Sequence, residues 1–276
     1  MATIDHGVPD PPQPPVSFLE KDGFSVLCEI EPSRKPDIEH VRRQINVLGP
    51  VCDAFLIPDN HLGRATVSSV SVAHEVAYMG GRSIACLNAR DRNLLGFRRD
   101  LLTAAAYGVD HFLFVYGDAP KEGRRTEDLT VRGMIDEVRD FGFGPLFAGY
   151  SDFRIGTVAK PGKSLAWRTR ADFVFVQISY QLQRLFAWRD NLDYDGKLYA
   201  GVLVLASSRM AQRVNAAIPE IKIPQNIIDK LDDPEFGIDL ACQQIQTIKD
   251  SGAFNGVHLV PVGKYQEVAA RLGDID

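Results

Sequence analysis

The sequence predicts a single α/β domain, a (β/α)8 barrel of the TIM-barrel type. Short apolar runs recur along the chain, and amphipathic helical patterns separate them. Most of the runs are continuously apolar, as parallel strands buried on both faces are. No GxGxxG turn follows the first run, which favours a closed barrel over a dinucleotide-binding sheet.

The eight candidate strands lie in order along the chain. They are residues 24–30, 53–57, 83–88, 111–116, 145–150, 173–178, 199–205 and 256–260. Helices are predicted over residues 37–48, 67–79, 94–107 and 127–141. Pro36 precedes the first of these helices and Gly49 ends it, which are the usual start and stop signals.

Two connections between the candidate strands are unusual. The fifth connection, residues 151–171, has the weakest helical pattern. The seventh, residues 207–253, is long enough for more than one helix, with a break near Asp232, Asp233 and Pro234.

Ahead of the barrel, which we expect to span residues 18–276, residues 1–17 are Pro-rich and predict a flexible tail.

Bulk properties exclude several classes of function. A net charge of -5 and a pI near 5.7 argue against nucleic-acid binding, which needs a basic surface. The six histidines and four cysteines form no metal-ligand spacing and no CxxC pair, so no metal site is expected. No run is long enough to span a membrane, and no signal peptide is recognisable. We expect a cytoplasmic protein. No feature of the sequence predicts an oligomeric state.

The first strand ends in two acids and carries the strongest chemical signal. Ser25, Leu27, Glu29 and Glu31 share one face, because side chains alternate along a strand. Barrel enzymes keep their chemistry at the C-terminal ends of the strands, which makes Glu29 a candidate proton donor. The alternative is a structural ion pair of Glu29 with Arg34 or with a base on a neighbouring strand.

Two further polar residues follow candidate strands. Gln177 interrupts an apolar run, and a buried amide needs partners for both its oxygen and its nitrogen. Such a donor–acceptor pair suits the edge of a planar heterocycle, although Gln177 could instead fill a layer of the barrel. Asp118 follows a glycine at a strand end, where it could equally cap the next loop.

At this point the chain resembles the methylenetetrahydrofolate reductase family, whose fold is a (β/α)8 barrel, from about residue 24 to residue 272. The segment Cys28-Glu-Ile-Glu-Pro-Ser-Arg34 is similar to the family's F-E-F-F-P-P-R, and this places Glu29 on the catalytic acid. The segment Tyr116-Gly-Asp-Ala-Pro120 is similar to R-G-D-x-P, which places Asp118 on the folate-binding aspartate.

The later strands match the same family. Val176-Gln-Ile-Ser-Tyr180 is similar to T-Q-F-F-F, so Gln177 falls on the glutamine that contacts the pterin. Lys264 stands where the family has an arginine that can hold the folate glutamate tail, although the match around it is less sharp. The resemblance therefore implies Asp118, Gln177 and Lys264 as substrate-binding residues.

The departures from the family pattern fall on flavin contacts. Cys86 occupies the position of a flavin-binding histidine, and Tyr116 replaces the arginine of R-G-D. The flavin-phosphate segment is short here, residues 160–170, and the small-residue turn after strand two is replaced by residues 57–60. Lys160, Lys163 and Arg168 are the remaining candidates for a phosphate contact.

The resemblance implies reduction of 5,10-methylenetetrahydrofolate to 5-methyltetrahydrofolate. The departures are similar to those of flavin-independent members, so we expect NADH as the direct donor, with NADPH as the alternative, and no bound FAD. No nicotinamide site can be located in the sequence. Two alternatives remain: a FAD-dependent barrel oxidoreductase of other specificity, and a folate-binding barrel without redox activity.

Overall fold

The fold was analysed in a computed structural model that describes residues 16–140 and 152–273. Eight parallel strands form a closed barrel in which each strand pairs with the next and β8 pairs with β1. The strands are β1 (Ser25–Glu29), β2 (Ala54–Ile57), β3 (Ser83–Asn88), β4 (His111–Val115), β5 (Arg154–Ala159), β6 (Phe173–Val176), β7 (Lys197–Leu203) and β8 (Gly256–Val260). The predicted fold class is confirmed.

Helices cover the outside of the barrel. They are α1 (Glu39–Leu48), α2 (Ser69–Tyr78), α3 (Leu94–Ala106), α4 (Val131–Arg139), α5 (Leu182–Asp190), α6 (Ser208–Ala217), α7 (Gln225–Ile228), α8 (Phe236–Ser251) and α9 (Tyr265–Leu272). Three of them begin at side-chain caps: Asn93, Thr130 and Ser207 each accept a backbone N–H from the first turn. The long seventh connection does contain several helices, and it breaks between α7 and α8 as predicted.

The position of the fifth strand differs from the prediction. The predicted strand at 145–150 lies outside the described residues, and the strand that closes the barrel there is β5, inside the expected connection 151–171. The rest of that connection, residues 160–171, holds only a 3-10 turn at Ala166–Arg170. A Cβ at Gly156 would lie 2.1 Å from the ring of Phe173. Any side chain larger than that of glycine would therefore clash with the ring that fills this part of the lumen.

The barrel separates two apolar layers. Alternate residues of the strands point inward and form a lumen core that includes Leu27, Leu56, Cys86, Leu113 and Phe175. The other face of each strand packs under the helices in a larger outer core. The alternation confirms that Leu27 and Glu29 share the lumen face of β1, because Leu27 belongs to the lumen core.

Residues ahead of β1 close the N-terminal end of the barrel. The ring of Phe18 is buried and packs edge-on against Phe173 and Tyr199, with centroids 5.4 and 5.5 Å away. The buried Ser17 Oγ lies 2.7 Å from His111 Nε2, and His111 Nδ1 lies 2.6 Å from Asp110 Oδ1. Because residues 1–15 lie outside the described range, the tail at 1–17 and its boundary with the barrel at residue 18 stay predictions.

Candidate functional site

Glu29 lies at the C-terminal mouth of the barrel, as the last residue of β1. Its side chain is 16% exposed, and its Oε2 atom lies 3.5 Å from Nε2 of His258 on β8. The pairing of Leu27 with His258 across the barrel seam brings the two side chains together. Arg34, the base considered from sequence, is exposed on the loop after β1. The group that faces Glu29 is therefore an imidazole on the neighbouring strand.

His258 is the kind of base on a neighbouring strand that the sequence allows as a partner of Glu29, but the sequence does not identify the residue. Its ring stacks on Phe175, with centroids 4.8 Å apart and an interplanar angle of 18°. Its Nε2 atom is buried and has no hydrogen-bond partner among the residues that the structure describes. The available signal was its place in β8, where it breaks an apolar run. That signal becomes informative only when β8 is known to close against β1.

Cys86 lies on the lumen face of β3 and is buried. Burial raises the pKa of the Cys86 thiol well above its usual value, and the negative charge of Glu29 adds to the effect. The thiol is therefore neutral at physiological pH. A neutral thiol is a weak hydrogen-bond donor and acceptor, unlike the imidazole that the family resemblance leads one to expect at this position.

Gln177 directly follows β6 and is half-buried. Phe173, Phe175 and Gln177 share one face by alternation, so Gln177 stands above the ring that supports His258. Its Oε1 atom accepts a hydrogen bond from the backbone N–H of Ile178 at 3.0 Å. Its side-chain nitrogen donates no hydrogen bond to any residue of the described ranges. The amide thus keeps two donors for another partner.

Asp118 lies in the loop after β4 and is exposed. Its Oδ2 atom accepts the backbone N–H of Leu62, in the loop after β2, at 2.8 Å. The carboxylate lines a recess of about 330 Å³ formed by the loops after β2, β3 and β4. The other lining residues are Asn60, Gly63, Arg64, Ala65, Asn88, Asp91, Pro120, Glu122 and Gly123.

The glycine before Asp118 is held against β3. Gly117 has φ +86°, and a Cβ there would lie 2.8 Å from the Cβ of Asn88. The side-chain nitrogen of Asn88 in turn donates to Asp59 Oδ2 and to Asp91 Oδ2, both at 2.9 Å. The Asn88 side chain therefore fixes the position of Gly117, where the loop that carries Asp118 begins after β4.

An ion pair lies behind this contact. Arg92 Nη2 approaches Asp59 Oδ2 at 2.7 Å, and both side chains are nearly buried. Burial raises the pKa of Asp59, although the Arg92 charge opposes that shift. Sequence analysis did not select these residues, since their roles depend on contacts between the ends of β2 and β3.

A guanidinium also reaches the Asp118 loop. Tyr116, which replaces the family's arginine, is exposed, and the Arg90 guanidinium lies 4.4 Å from its ring centroid. Arg90 comes from the end of β3, and its buried Nε has no hydrogen-bond partner in the described part of the chain. The guanidinium of Arg90 therefore supplies a positive charge beside Tyr116, at the strand end where the family pattern has an arginine.

Lys264 precedes α9 at the end of the β8 loop. Its Nζ atom lies 2.9 Å from Glu267 Oε1 in the first turn of that helix. The pKa of Glu267 is lowered, and the hydrogen bond from Lys264 is the largest cause. Its part in holding a folate tail stays a prediction.

The segment after β5 presents the candidate phosphate-binding residues. Lys160 pairs with Glu220 at 2.6 Å, and Arg168 donates through Nε to the carbonyl of Val158 at 2.7 Å. The Arg168 guanidinium also lies 4.4 Å from the ring centroid of Trp167. The backbone carbonyl of Lys163 accepts from Trp188 Nε1. Two of the three cations are thus engaged by the protein.

The site residues fall into two groups. Glu29 and Gln177 are linked along one wall of the mouth by His258 and Phe175, whereas Asp118 stands on the loops after β2, β3 and β4. All of them lie at the C-terminal end of the barrel. No group of three or more His, Cys, Asp or Glu side chains within residues 16–140 and 152–273 is arranged to hold a metal ion. None of the helices described has the length and apolar character of a membrane span.

Comparison with known proteins adds a family and a fold. A family model described as "MTHFR: Methylenetetrahydrofolate reductase" matches residues 57–272. No curated protein matches the chain.

Solved structures are similar in fold at low identity. The tryptophan synthase α-subunit of Pyrococcus furiosus has 11% identity and a TM-score of 0.55, covering 91% of this chain and 97% of that one. The spore cortex-lytic enzyme SleL of Bacillus cereus has 11% identity and a TM-score of 0.53, covering 92% and 74%. DmoA of Hyphomicrobium sulfonivorans has 10% identity and a TM-score of 0.52, covering 92% and 88%.

Proposed function

Because the chain belongs to the methylenetetrahydrofolate reductase family, we propose that it reduces 5,10-methylenetetrahydrofolate to 5-methyltetrahydrofolate with NADH or NADPH and without a bound flavin. The observation that carries this proposal is Glu29, a mostly buried acid on the lumen face at the barrel mouth. Within the described residues it faces an imidazole and not an arginine or lysine, so it is not committed to a permanent structural ion pair.

Reduction begins with opening of the five-membered ring of the substrate. Protonated Glu29 gives its proton to N10, the bond between N10 and the methylene carbon breaks, and a cationic iminium forms at N5. A hydride from NAD(P)H then adds to the methylene carbon and produces the methyl group. The protein must hold these two reactants about 3–3.5 Å apart in the correct orientation.

Three residues bind the folate in this proposal. Gln177 directs its free amide nitrogen to the edge of the pterin, while its oxygen stays on the Ile178 N–H. Asp118 holds the pterin through the oxygen that does not bind Leu62, and its charge favours the cation at N5. Lys264, half-exposed beside Glu267, holds a carboxylate of the glutamate tail.

Three observations support the flavin-free version. Cys86 is a buried neutral thiol where the family resemblance places a flavin-binding histidine. Lys160 and Arg168 are occupied by Glu220 and by the Val158 carbonyl. Of the three candidate cations only Lys163 keeps its ammonium without a partner in the described residues, so a flavin phosphate has little support here.

The proposal also needs a place for the nicotinamide ring beside the folate. A Cβ added at Gly156 would meet the ring of Phe173, so this face of β5 faces the lumen. Val158 lies on the same face, and it is 40% exposed. An apolar lumen residue with this exposure borders open space beside the mouth. We place the nicotinamide there. The four free cysteines fit a reducing compartment, and we therefore keep a cytoplasmic location as part of the proposal.

An anaerobic assay tests the function directly. Purified protein is mixed with NADH and methylenetetrahydrofolate, with and without added FAD, and NADH oxidation and methyltetrahydrofolate are both measured. We expect folate-dependent oxidation that FAD does not increase, from protein without flavin absorbance. Activity only with FAD would overturn the flavin-free version. Tight folate binding without NADH oxidation would indicate the non-redox alternative.

A further inference from the structure

The contact between Glu29 and His258 is incomplete in the substrate-free protein. The two side chains are 16% and 14% exposed, and Nε2 stands 3.5 Å from Oε2, slightly beyond a normal hydrogen bond. The buried Nε2 atom has no other partner in the described residues. Buried polar groups are rarely left unpaired, because the loss of hydration is costly. Catalytic hydrogen bonds are often long before the substrate binds.

The orientation of the imidazole is fixed by its surroundings. Phe175 stacks almost parallel to it at 4.8 Å, and backbone pairing with Leu27 and Gly201 sets its height in the barrel. Tilting the ring out of its plane would lose that stack. Nε2 is therefore held toward the carboxylate by packing rather than by a hydrogen bond of its own.

The charges around the pair single out the imidazole. The described titratable groups on the lumen side include Glu31 after β1, His111 near Phe18, Cys86 on β3 and Tyr199 on β7. Burial raises the pKa of Cys86 and of Tyr199 well above the ordinary value of each. This thiol and this phenol stay neutral near pH 7. Beyond Cys86 lies the Asp59–Arg92 ion pair, whose charges offset one another. An imidazole can hold and release a proton at its ring nitrogens, and His258 is the imidazole that faces Glu29.

We propose that His258 is the positioning residue of Glu29: it holds the carboxyl group toward the lumen and returns a proton to it after each turnover. This inference rests on the proposed function for its kinetic consequence. Once Glu29 has given its proton to N10, the Nε2–H of the imidazolium passes its proton to Oε2. The acid is restored, the imidazole is left neutral, and it takes up a proton from solvent water.

Two substitutions separate orientation from charge. His258→Phe preserves the stack on Phe175 but removes the nitrogen, and we expect kcat to fall by about 10–100-fold, as for a misplaced catalytic group. His258→Gln retains an N–H donor without a titrating charge, so we expect it to recover part of that loss. The wild-type pH–rate profile should carry a limb that both variants lack, because neither variant has a ring nitrogen that can pass a proton to Glu29.

The chain offers a matched control in His74→Phe. His74 stacks on Tyr107 at 4.5 Å outside the barrel, so this substitution removes a stacked imidazole far from the mouth. We expect its rate and pH profile to match wild type. If His258→Phe and His258→Gln lose rate equally while keeping the wild-type limb, with unchanged thermal unfolding, the positioning role is refuted.

A measurement on substrate-free protein tests the pair independently of turnover. The ring signals of His258 are compared by NMR at one pH in wild type and in Glu29→Gln. We expect them to shift in the variant, because the group that faces Nε2 has changed. Unchanged signals would refute the contact. Wild-type protein that shows this shift but no folate-dependent NADH oxidation would overturn the proposed function and leave the pair intact.

Discussion

The Oδ2 atom of Asp118 accepts a hydrogen bond from the backbone N–H of Leu62 at 2.8 Å, which ties the loop after β4 to the loop after β2. Leu62 has φ +58°, an unfavourable conformation for a branched side chain. The loops touch again at Gly63, whose carbonyl accepts the N–H of Lys121 at 2.8 Å. Asp118 therefore has a structural role, which is to join these two loops, besides the substrate contact proposed for it.

Substitution of Asp118 separates these two duties. Asp118→Asn keeps an oxygen for the Leu62 N–H but loses the charge. Because hydrogen bonds to charged groups contribute about 1.5–3 kcal/mol, we expect the KM for folate to rise roughly 10–100-fold. Asp118→Ala also releases Leu62 and should lower thermal stability, whereas Asp118→Asn should not.

The control for Asp118 is Glu122→Gln, which removes an exposed charge from the same recess. We expect its folate KM to stay within a few-fold of wild type. Equal effects of Glu122→Gln and Asp118→Asn would mean that the general charge of the recess matters, and not a specific contact of Asp118.

Glu29→Gln tests the proposed acid. The amide has the same size and can still accept a hydrogen bond, but it has no proton to give. We expect kcat to fall by about 10²–10⁴-fold, as is usual for loss of a general acid, with unchanged folding. The matched control is Glu31→Gln, an exposed acid two residues later on the same face. Turnover of Glu29→Gln within a few-fold of wild type would exclude the assignment.

Gly117 supplies a prediction about the scaffold of the site. Gly117→Ala places a Cβ 2.8 Å from Asn88 Cβ at φ +86°, whereas Gly123→Ala adds a Cβ at φ +75° with nothing within 4 Å. Both variants incur the cost of a positive φ, roughly 1–3 kcal/mol, but only the first also clashes. We expect a larger loss of unfolding free energy and a raised folate KM for Gly117→Ala. Equal stability losses would show that the Asn88 contact is easily relieved.

The Ser17–His111–Asp110 chain predicts a dependence of stability on pH. Burial raises the pKa of Asp110, but the hydrogen bond and charge of His111, with the Arg82 charge, outweigh it, so the net pKa lies below its usual value. The ionised form is therefore favoured by folding. Its contribution is present above about pH 4, the unfolded value, and is lost as the pH falls through the lower folded value.

Asp110→Asn should therefore destabilise the protein by about 1–3 kcal/mol at pH 7, with a difference from wild type that shrinks in acid. Ser17→Ala should cost a similar amount at all pH values, since it leaves His111 Nε2 unpaired. Chemical denaturation at several pH values measures both. Asp195→Asn, at an exposed acid, is the control. A constant difference for Asp110→Asn across pH would contradict the assignment.

Most of the barrel was predictable because its strands are buried on both faces. The bounds of β3 and β8 agree with the predicted runs, 83–88 and 256–260, since polar or glycine-containing segments flank mostly apolar stretches. β5 was placed wrongly because Gly156 and Thr157 make it less apolar than residues 145–150. Its glycine makes room for the ring of Phe173 on the neighbouring strand β6, which no local pattern reveals.

The chemical site was only partly predictable. Strand alternation and position gave Glu29 its place on the lumen face at the mouth, and the structure agrees. His258 was not identified, because its meaning depends on the closure of β8 against β1. The Leu62 contact of Asp118 was also unforeseen, since it joins two loops whose conformations depend on glycines and on positive φ angles.

The floor formed by Phe18 has a consequence for how the chain is made. Ser17 and Phe18 leave the ribosome before any strand exists, yet Ser17 binds a histidine 94 residues later and Phe18 packs on rings of β6 and β7. Until β7 has been synthesised, the nascent barrel keeps an open, solvated base. The contacts of Ser17 and Phe18 therefore form only after β4, β6 and β7 have all been made.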